Sequence, residues 1–352
     1  MTQYIIRRMF LNLVVIVVVS LITFLLMHAV PGGPFDREKA LPPEIMANLE
    51  ERYHLNDPLP KQYALYLYEV MIPRISAVKP GTSLQNDFLI TIPLSDGLWL
   101  NWMNFGPSYA SRSRTVNDIF RQQLPISMQL GTMALLVAML IGIPLGILAA
   151  LKQNTIWDYL GMSVAIFGVS VPVIVLGPVL VWIFGVTLKW LPPTGWGVKP
   201  PYLLGFLPTR LDWTFWRFAL MPSIALGLGS SAILARLTRA SLLQVIREDY
   251  IRTARAKGLH EQTVIARHAL KNSMIPVVTV LGPMFAALIT GTFVTELIFG
   301  IPGMGKYFVT SITNRDYPVI MGTILLYALF LVMANLVVDI TYAFLDPRIR
   351  YT

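Results

Sequence analysis

Gly300, Gly305 and Lys306 have the spacing of a phosphate-binding loop, in the stretch FGIPGMGKYF at residues 299–308. In such a loop, backbone N–H groups and the Lys hold the phosphates, and a Ser or Thr directly after the Lys holds Mg²⁺. Here Tyr307 follows the Lys. Because a nucleotide loop must also join a strand to a helix, the elements on either side decide what this stretch is.

Other groups that could carry catalysis or bind a metal are sparse. The chain has no Cys, which excludes disulfides, thiolate metal sites and Cys nucleophiles. Its four His, at positions 28, 54, 260 and 268, are scattered and lack paired carboxylates or metal-ligand spacing. We therefore expect a chain that is not an enzyme and that carries no metal or other cofactor.

The composition is that of a membrane protein. Of the 352 residues, 55% are hydrophobic and only 13% are charged, outside the range of soluble domains. The net charge of +9 could suggest a nucleic-acid partner. In a membrane chain the positions of the basic residues matter more than their sum, so no nucleic acid is expected.

Six apolar runs are long enough to cross a bilayer as helices. The first follows Arg7 and Arg8 and lacks the short core and small-residue cleavage site of a signal peptide, so we expect it to remain uncleaved. The sequence thus predicts an all-α membrane protein of six transmembrane helices. The predicted spans are residues 9–30, 124–151, 159–188, 218–245, 276–299 and 318–345.

The distribution of Lys and Arg predicts that both termini face the cytoplasm. Basic residues cluster between the fourth and fifth spans and at both chain ends, whereas the segments on the other side have balanced charge. This orientation places residues 299–308 outside, away from cellular ATP, and we interpret them as a tight turn between helices. The predicted division is 1–30 (N-terminal segment and first helix), 31–123 (external loop or small subdomain) and 124–352 (a transmembrane core of five helices that includes the loop 247–275).

The external segment 31–123 has its own pattern. Helix-like spacing of apolar residues runs through 42–71, and residues 88–94 form a strand-like run. We expect a small platform in water on the outer face of the membrane.

The cytoplasmic segment 247–275 predicts a helix, a turn and a second helix. Glu248 and Asp249 stand at the start of the first helix and basic residues at its end, an arrangement that complements the helix dipole. Gly258 can then take the left-handed conformation that ends a helix, and a second helix can begin near His260. Such an elbow could be a solvated basic loop near lipid headgroups or a docking element for a cytoplasmic partner.

The stretch DYIRTARAKGL followed by RHALKN resembles the EAA loop of dipeptide and oligopeptide ABC importer permeases. Ala254, Gly258 and Leu270 match the general EAA pattern, whereas Arg252, Thr253, His268 and Lys271 replace its Glu, first Ala, Ile and Pro. Other stretches similar to this family occur in order along the chain. They are TFLLMHAVPGGP, IGIPLGILAALKQN, ARLTRASLLQVIREDY, ELIFGIPGMGKY, NRDYPVIMG and LVVDITYAFLDPRIRY.

The resemblance implies a non-catalytic subunit of the bacterial inner membrane that forms a path with a second, homologous permease. Two ATPase subunits, which would hold ATP and Mg, bind beneath, and an external binding protein delivers a peptide. The first helix of the elbow would be the coupling helix, with Ala254 on its docking side. The predicted coupling residues are Tyr250, Ile251, Arg252, Thr253, Ala254, Arg255, Ala256, Lys257, Gly258 and Leu259.

The substrate path is less well defined by the sequence. Gln129, Ser170, Ser230 and Ser231 are small or polar span residues that could face a wet cavity or could only let helices pack. Glu296 and Asp339 lie near span ends, where we expect structural pairing rather than substrate contact. An ion-driven secondary transporter, an importer of sugars or metal chelates, and a membrane scaffold or receptor are the alternatives.

Overall fold

A computed structural model describes residues 2–35, 43–77, 81, 83–84, 86–111, 113–203, 205–290 and 292–345 of the chain. The fold is mostly helical. The helices are α1 (Thr2–Ala29), α2 (Pro43–Arg52), α3 (Leu59–Met71), α4 (Val116–Leu151), α5 (Ile156–Ser170), α6 (Val173–Thr187), α7 (Trp213–Ile246), α8 (Asp249–Ala256), α9 (Glu261–Ser273), α10 (Ile275–Thr290), α11 (Phe293–Ile298), α12 (Gly305–Thr313) and α13 (Tyr317–Leu345). The strands are β1 (Arg74–Ser76), β2 (Ile90–Pro93) and β3 (Trp99–Trp102).

Within these ranges, α1, α4, α7 and α13 each contain a stretch long and apolar enough to cross a membrane. Two further candidates are bent pairs: α5 with α6 at 100°, and α9 with α10 at 48°. The described part of the chain therefore has four such helices, or up to six spans if each bent pair is one.

The predicted span at residues 159–188 is divided into two helices, α5 and α6. The helix breaks between Ser170 and Val173, where Val171 is extended with φ −97° and ψ 110°. Pro172 explains the break, because proline disfavours helical backbone in the residue before it. With 15 residues, α5 is about 22 Å long, shorter than the ~30 Å hydrocarbon core of a bilayer.

The chain divides into two compact units. The first unit comprises residues 1–4, 126–305 and 330–352, and glycines at helix crossings bring its helices close together. An added Cβ at Gly142 would clash with the backbone oxygen of Ser231, and one at Gly146 would clash with the Thr238 side chain at 2.7 Å. Small residues at these crossings let α4 and α7 pack backbone to backbone.

An ion pair joins α5 to α7 in the same unit. The Nε and Nη2 atoms of Arg239 each donate to the buried Asp158 carboxylate at 2.7 Å. The backbone N–H of Asn154 donates to the same carboxylate at 3.0 Å. This bidentate geometry fixes the start of α5 against α7.

The second unit comprises residues 5–125 and 306–329. Its sheet has the order β1-β3-β2 with antiparallel pairs, and Leu100 lies opposite both Ile75 and Ile92. The expected strand at 88–94 is confirmed by β2, but a fold of helices alone is wrong for this segment. The expected helical spacing over 42–71 forms two helices, α2 and α3, separated by residues 53–58.

Long-range hydrogen bonds hold the parts of this second unit together. The Tyr63 hydroxyl on α3 donates to the Val17 carbonyl of α1 at 3.0 Å. The Asp316 carboxylate, just before α13, accepts from the Ser108 hydroxyl and from the backbone N–H of Tyr109 at 3.0 Å. The predicted external segment is therefore built onto helices at both ends of the sequence.

Candidate functional site

The elbow at residues 247–275 has the predicted helix, turn and helix. Helix α8 follows the N-cap Glu248 and ends at Ala256. Gly258 then has φ +77°, so the expected left-handed turn residue is confirmed. The imidazole of His260 accepts from the backbone N–H of Gln262 at 3.4 Å and caps the start of α9.

The inner face of α8 is apolar. Ile251 is 0% exposed and Ala254 is 7% exposed, in a cluster with Leu242, Val264 and Ala269. The prediction that Ala254 lies on the docking side is therefore wrong, because its methyl group packs inward. Burial of this face makes α8, α9 and the end of α7 one packed body.

Two polar contacts close the elbow at its rim. The Arg255 guanidinium donates to the Glu261 carboxylate at 3.1 and 2.7 Å, bridging the Gly258 turn. These hydrogen bonds raise the pKa of Arg255, which keeps the guanidinium charged. The Asn272 amide of α9 donates to the Tyr250 hydroxyl of α8 at 2.9 Å.

The outer face of α8 is exposed and basic. Arg252, Thr253, Ala256 and Lys257 are exposed, and Leu259 beyond the helix is also exposed. The start of α8 borders a groove of about 540 Å³ at the end of α7, lined by Ala240, Leu243, Gln244, Arg247, Glu248 and Asp249. Such a surface can bind a partner by charge and shape.

The loop that resembles a phosphate site is filled by a carboxylate of its own chain. Glu296 is 2% exposed, and its Oε2 accepts from the backbone N–H of Gly305 at 2.8 Å. Its Oε1 accepts from the Ser127 hydroxyl at 2.6 Å, and that hydroxyl accepts from the Met304 N–H at 2.8 Å. A Cβ at Gly303 would clash with the Glu296 carboxylate. The glycines therefore make room for a carboxylate where a nucleotide loop would hold a phosphate.

This contact bears on the expectation for Glu296 and Asp339. Glu296 is paired structurally, as expected, with a hydroxyl and a backbone N–H. The side chain of Asp339 lies outside the described part of the chain. Among the described residues, no group of three or more His, Asp and Glu is arranged to hold a metal ion.

The predicted substrate-path residues do not form one cluster of free polar groups. The buried amide of Gln129 donates to the Phe206 carbonyl at 2.7 Å and accepts from the Trp196 indole at 2.9 Å. The hydroxyls of Ser170 and Ser231 donate to Ile166 and Leu228 carbonyls of their own helices. Ser230 is half-buried on α7. These contacts favour helix and loop packing for Gln129 and Ser231, and a role in a substrate path stays a prediction.

Sequence reasoning missed the partners of two carboxylates. Asp158 and Arg239 are 81 residues apart, and Ser127 and Glu296 are 169 residues apart. The only local signal for the first pair is a carboxylate in the first turn of an apolar helix.

Known proteins match this chain over its whole length. Residues 142–351 match the family model described as binding-protein-dependent transport system inner membrane component, and residues 1–83 match its N-terminal counterpart. The chain is 39% identical over 350 residues to the dipeptide transport system permease protein DppB of Bacillus subtilis, covering 99% of this chain and 98% of the relative. It is 39% identical over 351 residues to the oligopeptide transport system permease protein OppB of Salmonella typhimurium, covering 100% of both. Among solved structures, the inward-facing MetNI methionine ABC transporter matches 64% of this chain and 94% of its own chain, with 16% identity and a TM-score of 0.48.

Proposed function

The chain belongs to the family of binding-protein-dependent transport system inner membrane components, and on this premise we propose that it is the permease subunit of an ATP-driven importer of dipeptides or oligopeptides. It is a multi-pass membrane protein that performs no chemistry itself. Its partners are a second, homologous permease, two ATPase subunits that bind ATP and Mg, and an external peptide-binding protein. Its place is the bacterial inner membrane, with both termini in the cytoplasm.

The elbow carries this proposal. Its inner face is sealed by Ile251 and Ala254, whereas its outer face presents Arg252 and Lys257. A short helix that is packed on one side and basic on the other can bind a partner through its basic side. Because its other side is tightly packed, it can pass the partner's movement to the adjoining helices without unfolding. The proposed docking residues are therefore Arg252, Thr253, Ala256, Lys257 and Leu259, while Tyr250, Ile251, Ala254, Arg255 and Gly258 hold the elbow in shape.

We propose the following mechanism. ATP binding brings the two ATPase subunits together, and the subunit on which α8 is docked carries this helix with it. Because α8 is packed against α9 and the end of α7, its movement rotates α7 and α10, the fourth and fifth predicted spans, and switches the path between inward and outward access. The change is a shift between two states, so this chain needs no catalytic residue.

Two other functions make different demands on the chain. An ion-driven secondary transporter would need titratable groups in the path, whereas the described carboxylate Glu296 is engaged by Ser127 and a backbone N–H. An importer of sugars or metal chelates would use the same elbow and differ in the external binding protein. The names of the full-length relatives favour peptides.

Photocrosslinking tests the docking directly. A photoreactive amino acid in place of Arg252 should crosslink to an ATPase subunit in native membranes, and mass spectrometry would identify it. The same amino acid in place of Gln262, on the opposite arm of the elbow, provides the control. Crosslinks to lipid alone from position 252 would contradict docking and support the alternative, a solvated basic loop near lipid headgroups.

A further inference from the structure

The second unit contains a cavity of about 510 Å³ that no part of the proposed transport mechanism uses. It lies among the end of α1, helix α3, the segment 104–109 and the start of α13. Its volume is within the range of small-molecule sites, roughly 300–1,000 Å³. Aromatic rings form much of its wall, including Phe24, Tyr53, Phe88, Phe105, Tyr109 and Tyr317.

Tyr66 on α3 lines the cavity. Its buried hydroxyl oxygen has no hydrogen-bond partner among the described residues. Burial raises the pKa of Tyr66, so the group is a neutral O–H donor at physiological pH. A buried donor without an acceptor costs free energy, which a ligand with a carbonyl or carboxylate would recover.

His28 supplies an acceptor at the same cavity. Its Nδ1 lies 2.8 Å from the Phe24 carbonyl, which can only accept, so Nδ1 carries the proton. The other ring nitrogen, Nε2, is then an acceptor in the neutral ring. The cavity therefore combines aromatic walls with a donor and an acceptor.

The rim of the cavity is positively charged. The lining carboxylate Glu69 is already bound, because it pairs with Arg74 at 2.5 Å and accepts from the Asn104 amide at 3.2 Å. Arg52 lies 6.0 Å from the Tyr53 ring centroid, and among the described residues no carboxylate pairs with it. A guanidinium beside aromatic rings is suited to bind a carboxylate.

We propose that this cavity binds a short peptide, with an apolar side chain among the rings and its C-terminal carboxylate at Arg52. The Tyr66 hydroxyl donates to a peptide carbonyl, and His28 Nε2 accepts a peptide N–H. This inference rests on the proposed peptide transport and adds a binding site on the permease itself. A fatty acid shares the chemistry of a carboxylate on an apolar body, so the test must separate the two sources.

Equilibrium binding of radiolabelled Ala-Phe-Phe to the full chain in nanodiscs tests the site. We expect Arg52→Gln to weaken binding about tenfold and Tyr66→Phe about threefold to tenfold. Lys61→Gln removes a cation from α3 that does not line the cavity, and it should leave binding unchanged. The C-terminal amide of the peptide should bind more weakly than the acid and should be insensitive to Arg52→Gln.

Several outcomes would overturn the proposal. They are no binding of the peptide, equal binding by all variants, equal binding of acid and amide, or displacement by palmitate but not by unlabelled peptide. This assay contains no ATP and no partner subunit. Failure of binding would leave the transport function standing, whereas ion-driven uptake with intact binding would contradict the transport function alone.

Discussion

The Ser127 hydroxyl lies 2.6 Å from Oε1 of Glu296 and joins helix α4 to the glycine-rich loop at residues 299–305. The same hydroxyl accepts from the Met304 N–H, and the other carboxylate oxygen accepts from the Gly305 N–H. The Ser127 hydroxyl and the Gly305 N–H thus donate to the carboxyl group, and the Met304 N–H fixes the orientation of the Ser127 hydroxyl. The loop is therefore held in shape by a buried carboxyl group of the same chain.

Glu296→Gln should lower the stability of the chain. An amide nitrogen would replace one carboxylate oxygen and place a donor against Ser127 or the Gly305 N–H, at a cost of about 1–3 kcal/mol. The midpoint of thermal unfolding in detergent should fall by several degrees. Glu44→Gln, on an exposed side chain of α2, is the matched control. Equal midpoints for the two variants would show that the buried contact is unimportant.

Gly258→Val should impair the elbow without preventing membrane insertion. The backbone at Gly258 has φ +77°, which costs a β-branched residue more than ~1 kcal/mol. Transport and the coupling of ATP hydrolysis to transport should fall. Gly258→Asn is the matched control, because Asn adopts this conformation readily, and it should retain most activity. If Val and Asn are equally active, the left-handed turn is not required.

Ala254→Asp and Ala256→Asp separate the two faces of α8. Position 254 is buried against Val264 and Ala269, so a carboxylate there should destabilise the elbow and reduce the amount of folded protein. Position 256 is exposed, so its variant should fold normally and bind the ATPase subunits more weakly. Expression, thermal unfolding and co-purification measure these effects. A folded Ala256→Asp chain that recruits ATPases normally would move the docking surface elsewhere.

Topology can be tested because the chain has no native Cys. A single Cys at Ser83 should react with an impermeant maleimide from outside intact cells, whereas one at Gln262 should react only after permeabilisation. Both positions are exposed, so accessibility depends on the side of the membrane. Labelling of the Gln262 variant from outside would reverse the proposed orientation.

The sequence predicted features that depend on neighbouring residues better than those that depend on packing. The elbow was predictable because Glu248, Asp249 and Gly258 act on the backbone beside them. The inward orientation of the Ala254 side chain was not predictable, since the residues that bury it come from α7 and α9. The break at Pro172 has a local cause, but a criterion of length and hydropathy alone joined α5 to α6.

Contacts between helices that are far apart in the sequence could not be predicted, for similar reasons. The sequence gives no sign that Ser127 meets Glu296, because their approach depends on how the helices pack. Likewise, Gln129 is a polar residue in a span and fits a wet path, but in the structure its amide binds Phe206 and Trp196. Polarity alone cannot distinguish a path-lining residue from one that anchors a loop.

Uptake into proteoliposomes tests the central claim most directly. The complete complex would be reconstituted with binding protein outside and ATP inside, and labelled peptides, sugars and metal chelates would be compared. We predict ATP-dependent uptake of a short peptide by the complex and no uptake by this chain alone. Uptake by the chain alone, driven by a proton or sodium gradient, would contradict the account.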